Sequence, residues 1–346
     1  MKKLLFIVLF STLILAGCGK SEPAELWVLN QSDAISGDVL LDFEKGHGVR
    51  VVYNTYETPE EMYQILIEHP GKYDVVFATN YYTQRLRTEG AFTEIDFYSM
   101  KNYKNIQSEY LPSVKYNIPY MTGTLGVLYD ENKVHTKIDS WKALWDNQYR
   151  DEIIMTPVMI EALAIAFRVR GFDVNSTGEV QIKDAADELK AQWDVVQSYQ
   201  ALNVAENMAW GRATLAAATS NRAELAMRKA RQTGNASLKY IIPPEGSARW
   251  IISMSIPRDA KNPDMAMNFI DYMCETDVAA QNSMASGMTS VLDGVRSKLP
   301  DEAKNSYVMY PERSELQKCI FWRYDTQGSG RYETMWRVIK ANIWVK

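Results

Sequence analysis

From residue 26 onward, short apolar runs alternate with longer stretches whose apolar residues recur at helical spacing. Leu26-Trp27-Val28-Leu29 reads as a strand. Val39-Leu40-Leu41-Asp42-Phe43 opens a helix that Lys45-Gly46-His47-Gly48 closes. Residues 49–53 are β-branched and aromatic, which suits the next strand. Residues 59–68 place Met62, Ile65 and Leu66, with Tyr63, on a helix that opens with Thr58-Pro59-Glu60-Glu61. Residues 73–77 form a further strand, and residues 82–89 a helix that Gly90 stops. This β-α-β-α-β order predicts an α/β layer built on a mainly parallel sheet. The alternation then resumes. Strands are expected over 123–129 and 152–156, and a helix over 161–170 ended by Gly171. A long helix is expected over 185–200, with Leu189, Trp193 and Val196 on one face. Strands follow over 238–242 and 251–256, and a helix over 265–273. No linker rich in Gly, Pro or Ser divides the chain. Two lobes without a linker have the chain crossing between them on strands, and they flank a cleft.

Composition narrows the class. The chain has 346 residues, enough for about two domains of roughly 150 residues. Hydrophobic residues make up 46% and aromatic residues 11%, enough for real cores, so a disordered chain is excluded. The net charge of −5 includes no basic tract, which argues against nucleic acid as a partner. Cys274 and Cys319, the only cysteines after Cys18, are too few for a disulfide scaffold, so unpaired thiols are expected. His47, His69 and His135 lack metal-ligand spacing, and neither metal nor cofactor is expected. No phosphate-loop, serine-hydrolase elbow, zinc-protease or C-x-x-C signature occurs, so a binding protein is expected rather than an enzyme.

The N-terminus sets the compartment. Lys2 and Lys3 precede an apolar run from Leu4 to Ile14, broken by Ser11 and Thr12, and Leu15-Ala16-Gly17 leads into Cys18. This is the pattern of a secretory signal. The run is shorter than the roughly 20 residues that a membrane span needs. Leu15-Ala16-Gly17-Cys18 resembles the lipobox of bacterial lipoproteins. The resemblance implies that residues 1–17 are a signal peptide and that lipid is attached at Cys18. Residues 18–25 would then be a polar tether holding the protein to a membrane, in the periplasm or at the cell surface. Gly19 is not the aspartate associated with inner-membrane retention, which favours the outer membrane in a cell that has one.

Several segments in order resemble one family, the spermidine/putrescine-binding periplasmic proteins of bacterial ABC transporters. They are Val51-Val52-Tyr53-Asn54-Thr55-Tyr56-Glu57, Tyr73-Asp74-Val75-Val76, Tyr81-Tyr82 followed by Arg87-Thr88-Glu89-Gly90, and Ile118-Pro119-Tyr120. Ser140-Trp141-Lys142-Ala143-Leu144-Trp145 and Ile256-Pro257-Arg258-Asp259-Ala260-Lys261-Asn262 complete the series. The resemblance implies an α/β, two-lobed type II periplasmic binding fold, with two mixed sheets flanked by helices and a cleft between them. Residues 26–128 plus 253–296 would form one lobe, and residues 129–252 plus 297–346 the other. It also implies a monomer that captures a small amine and delivers it to ABC permease subunits. A sensor that reports ligand to a membrane receptor stands as the alternative role.

A polyamine site needs carboxylates at the ammonium ends and aromatic walls for the methylenes. On the resemblance, Tyr81 falls on an aromatic ligand position, Glu161 on a carboxylate and Trp250 on a tryptophan. Each also has a structural reading, as a helix-start residue, a helix-dipole partner and a core indole. Other positions depart from the family. Gln31 and Ala34 stand where the family has tryptophan and tyrosine, Val158 and Ile252 where it has aspartates, Thr219 where it has tryptophan, and Met288 where it has tyrosine. Arg323 replaces a glutamine. Two carboxylates are thus lost and one cation gained, with Asp33 available as a substitute carboxylate beside Gln31. If Arg323 faces the cleft, it suits a zwitterion such as an amino acid. Its alternative is an ion pair with Asp325 or Glu333.

Overall fold

The computed structural model describes residues 23–343. Eleven strands form one continuous hydrogen-bonded system with helices on its faces. In chain order they are β1 (Ala24–Gln31), β2 (Val49–Tyr56), β3 (Val75–Thr79), β4 (Ile118–Asp130), β5 (Ile153–Met155), β6 (Val196–Tyr199), β7 (Leu215–Thr219), β8 (Leu238–Ile241), β9 (Ser247–Ser255), β10 (Thr289–Ser290) and β11 (Cys319–Phe321). β1 pairs in parallel with β2 and with β3, and β9 lies antiparallel to β3. The second half of the system repeats this plan, because β5 pairs in parallel with β6 and with β7, and β4 lies antiparallel to β7. The two long strands join the halves. β4 pairs with β9 up to Thr124 and with β7 from Leu125, so the chain crosses on a strand.

Local chemistry explains the elements that position the cleft. The helix Pro59–Glu68 starts where the Thr58 hydroxyl accepts from the Glu61 N–H and Pro59 occupies the first turn. The helix Gly37–His47 ends at Gly48 with φ of 65°, a left-handed turn natural for glycine. Strands β3 and β7 are buried along most of their length, which gives continuous apolar runs rather than alternation. Trp141 has no exposed surface, and its indole Nε1–H donates to the Gly246 carbonyl at 2.9 Å. Cys274 and Cys319 are free thiols.

The structure corrects three expectations. The helix expected over 185–200 runs from Glu179 to Gln192, and residues 196–199 form β6. Val195 and Val196 are β-branched and favour the sheet, where β6 completes a parallel edge on β5. Trp193 therefore caps a helix, and Val196 lies on a strand. Ala24 and Glu25, assigned to the tether, are the first residues of β1, paired with Val49 and Arg50. β7 and the helix after it, Ser220–Gln232, were not expected, because Leu215-Ala216-Ala217-Ala218 lacks β-branched residues. The signal peptide and Cys18 lie outside the described residues. Among the described residues, no helix is long and apolar enough to cross a membrane.

Candidate functional site

In open α/β sheets, ligands bind at the carboxyl ends of the parallel strands, where the following helices begin. Both halves of this chain present those ends to one cavity. Its wall includes Gln31 at the end of β1, Tyr56 at the end of β2 and Thr79 at the end of β3. From the other half come Thr156 after β5, Gln200 after β6 and Thr219 at the end of β7. Trp250 and Ile252 on the crossing strand β9, and Trp322 just after β11, complete it. The space open to water-sized groups is about 50 Å³.

Among the helices that begin at this cavity are those after Thr79, Val158 and Thr219, each residue being the N-cap of its helix. Their positive dipole ends favour negative charge there. The carboxylates are therefore chemically distinctive. Glu161, in the first turn of the helix Met159–Val169, lines the cavity, and its Oε2 accepts from the Thr156 hydroxyl at 2.5 Å. Burial pushes its pKa up to about 7. The Thr156 hydrogen bond opposes that rise, while the Glu60 charge adds to it. Glu60 reaches from the helix Pro59–Glu68 to the opposite half, where its Oε1 accepts from the Met159 N–H at 2.9 Å. Burial raises its pKa too, and its second oxygen has no partner. Glu161, with its pKa near 7, gains a strong interaction when an ammonium arrives.

Of the residues singled out in the sequence, Gln31, Glu161, Thr219 and Trp250 share this cavity. Gln31 is half-buried, and its carbonyl accepts from the Tyr53 hydroxyl. Thr219 pairs with Leu125 across the sheet, and Trp250 is buried with its indole against Gly123. Val158 and Ile252 also line the cavity. Tyr81 does not. It is 1% exposed, and its hydroxyl bonds to the Ser329 Oγ at 2.8 Å beneath the C-terminal helix. Asp33 is exposed, in a left-handed turn with φ of 60°, a conformation that aspartate tolerates. Arg323 is exposed outside the cavity; its main-chain N–H donates to Asn175, and Glu333 pairs with Arg85 instead. The zwitterion argument that rested on Arg323 loses its geometric basis.

Sequence reasoning missed Arg222 and Trp322. Arg222 stands in the first turn of the helix Ser220–Gln232, lines the cavity and is 6% exposed. A cation in a first helical turn opposes the dipole, and that local misfit is the signal that could have found it. Trp322, one residue before Arg323, supplies a cavity wall.

Comparison with known proteins agrees with this geometry. The family model for bacterial extracellular solute-binding proteins matches residues 39–312. The spermidine/putrescine-binding periplasmic protein of Escherichia coli K12 is 30% identical over 324 residues, 91% of each chain. The Salmonella typhimurium protein of the same name is 29% identical over 329 residues, 93% of each chain. A solved structure from Listeria monocytogenes, of a candidate spermidine/putrescine ABC transporter, superposes with a TM-score of 0.87 at 25% identity. The match covers 92% of this chain and 99% of that one. With its paired β-α-β halves, crossing strands and strand-end cavity, the chain belongs to the bacterial extracellular solute-binding protein family and has its two-lobed fold.

Proposed function

We propose that this chain is the solute-capturing component of an ABC importer, holding a small amine between its lobes and presenting it to membrane permease subunits. One observation carries the reading: Glu161, poised near neutrality in a strand-end cavity walled by Tyr56, Trp250 and Trp322. A carboxylate partners an ammonium, and indole and phenol faces cover methylenes and attract cations. The polyamine class, spermidine and putrescine, comes first because relatives carry those names. Residues 26–128 plus 253–296 are taken as one lobe, and 129–252 plus 297–346 as the other. Strand crossing within β4 and β9 supports a hinge there, and closure of such a hinge buries the ligand. Gln31, Thr219 and Trp250 serve as cavity walls in this reading.

Calorimetric titration of the protein with putrescine, spermidine, 4-aminobutyrate, a sugar and a dicarboxylate tests it. Binding confined to amines is expected. Saturable binding of the sugar or dicarboxylate, with no heat from any amine, sinks the reading.

We infer further that Cys18 carries the lipid anchor, on the strength of Leu15-Ala16-Gly17-Cys18. Radiolabelled palmitate should enter the wild type and not Cys18→Ala, which should accumulate as unprocessed precursor. Equal labelling of the variant would place the lipid elsewhere.

A further inference from the structure

We propose that the cleft selects an amine that also bears a carboxylate, with Arg222 taking the carboxylate and Glu161 the ammonium. This rests on the amine-binding reading above and names the class of amine.

Buried charge must be paired, and Arg222 is not fully paired. Its side chain is 7% exposed, and among the described residues the anion within ion-pair distance of it, Asp33, lies 3.7 Å from Nη1. Asp33 is itself 75% exposed, on the turn after β1 in the other half of the molecule. Arg222 Nη2 has no hydrogen-bond partner at all. A guanidinium in a cavity wall, with one nitrogen free, can donate a charge-assisted hydrogen bond to a carboxylate oxygen. The start of the helix Ser220–Gln232 adds a positive dipole end at the same place.

Three other cavity-lining groups lack partners: Trp250 Nε1, Trp322 Nε1 and Thr79 Oγ1. An indole N–H only donates, and a hydroxyl can donate. Together with Arg222 Nη2, these orphans call for an acceptor. A protonated alkyl diamine offers donors alone and satisfies none of the nitrogens. A carboxylate offers two oxygens and several lone pairs. In the same cavity wall Glu161 offers an acceptor, and Arg222 stabilises its ionised form through the field in the cavity. Val158, Val204, Ala217, Ala218 and Ile252 supply apolar surface for a short methylene chain.

The test pairs ligands of equal length on the full chain in detergent, by calorimetry at pH 8. Putrescine is compared with 4-aminobutyrate, and cadaverine with 5-aminopentanoate. Each amino acid is expected to bind about 100-fold more tightly than its diamine, in keeping with a buried charge pair gained. Arg222→Gln should remove that preference, and Arg222→Lys should restore part of it. Tighter binding of the diamines by the wild type overturns the proposal and leaves the amine-binding reading standing. Binding of neither set overturns both. The wild-type comparison decides the matter even where Arg222→Gln fails to fold.

Discussion

Glu161→Gln should weaken amine binding by about 100-fold or more, and at the same time stabilise the ligand-free protein above neutral pH. Removing one partner of a buried charged hydrogen bond costs roughly 2–5 kcal/mol. The bound ammonium loses its carboxylate, while the amide still accepts from Thr156. The pH dependence follows from the Glu161 pKa near 7. Ammonium binds the ionised form, so the wild-type affinity should fall about tenfold from pH 8 to pH 6, and the variant should show no such fall. The sign for stability is opposite. The folded-state pKa is raised above the ordinary value of 4.5. Between those two pH values the native protein binds more protons than the unfolded chain, so stability declines as pH rises through that window. The decline is about 3 kcal/mol in full, and glutamine escapes it. Urea unfolding at pH 4 and pH 8, with calorimetry at pH 6, 7 and 8, reads both effects. A variant with unchanged affinity and an unchanged pH profile would show that the carboxylate does not touch the ligand.

This opposition shows what the sequence makes legible and what it hides. The helix starting at Pro59 and the stop at Gly48 rest on local chemistry, a threonine cap and a left-handed glycine, so they can be read directly. The strand β7 is an alanine run buried on both faces, and only its neighbours β4 and β5 make it a strand. The over-extended helix shows the same limit, since Val196 has helical spacing from Leu189 yet joins β5. Glu161 and Trp250 reach the cavity because the crossing strands and the Met159–Val169 helix hold the positions that the family resemblance implies. Tyr81 lies within hydrogen-bonding reach of Ser329, 248 residues away, and no local pattern reveals that contact. Arg323 is one residue from Trp322, and the strand-end geometry turns the indole inward and leaves the arginine outside. Arg222 was legible in principle, as a cation at a helix start directly after a strand. Its importance emerges only once its buried, half-paired state is known.

Asp74→Ala should cost about 5 kcal/mol of stability and leave ligand affinity nearly unchanged in the protein that remains folded. Asp74 is 1% exposed, and its two oxygens serve three main-chain donors. Oδ2 accepts from the Trp27 N–H at 2.9 Å. Oδ1 accepts from the N–H groups of Lys261 at 2.9 Å and Asn262 at 2.8 Å. One carboxylate thus ties β1 to the loop that follows β9 and leads into the helix Pro263–Met273. Hydrogen bonds to a charged group contribute roughly 1.5–3 kcal/mol each, and alanine strands all three donors. Water entering the vacated space recovers part of that, which brings the total to about 5 kcal/mol, a large share of the 5–15 kcal/mol typical of a folded domain. Asparagine is only a partial rescue, because its Oδ1 can keep accepting on one side while its Nδ2 donates and would face an N–H group on the other. The effect is structural by position. Asp74 precedes the first residue of β3, whereas Thr79 at the other end of that strand lines the cavity. Denaturation midpoints for Asp74→Ala and Asp74→Asn, beside calorimetry on the folded fraction, separate the two consequences. A midpoint shift worth less than about 1 kcal/mol would mean that solvent satisfies these donors as well as the carboxylate does.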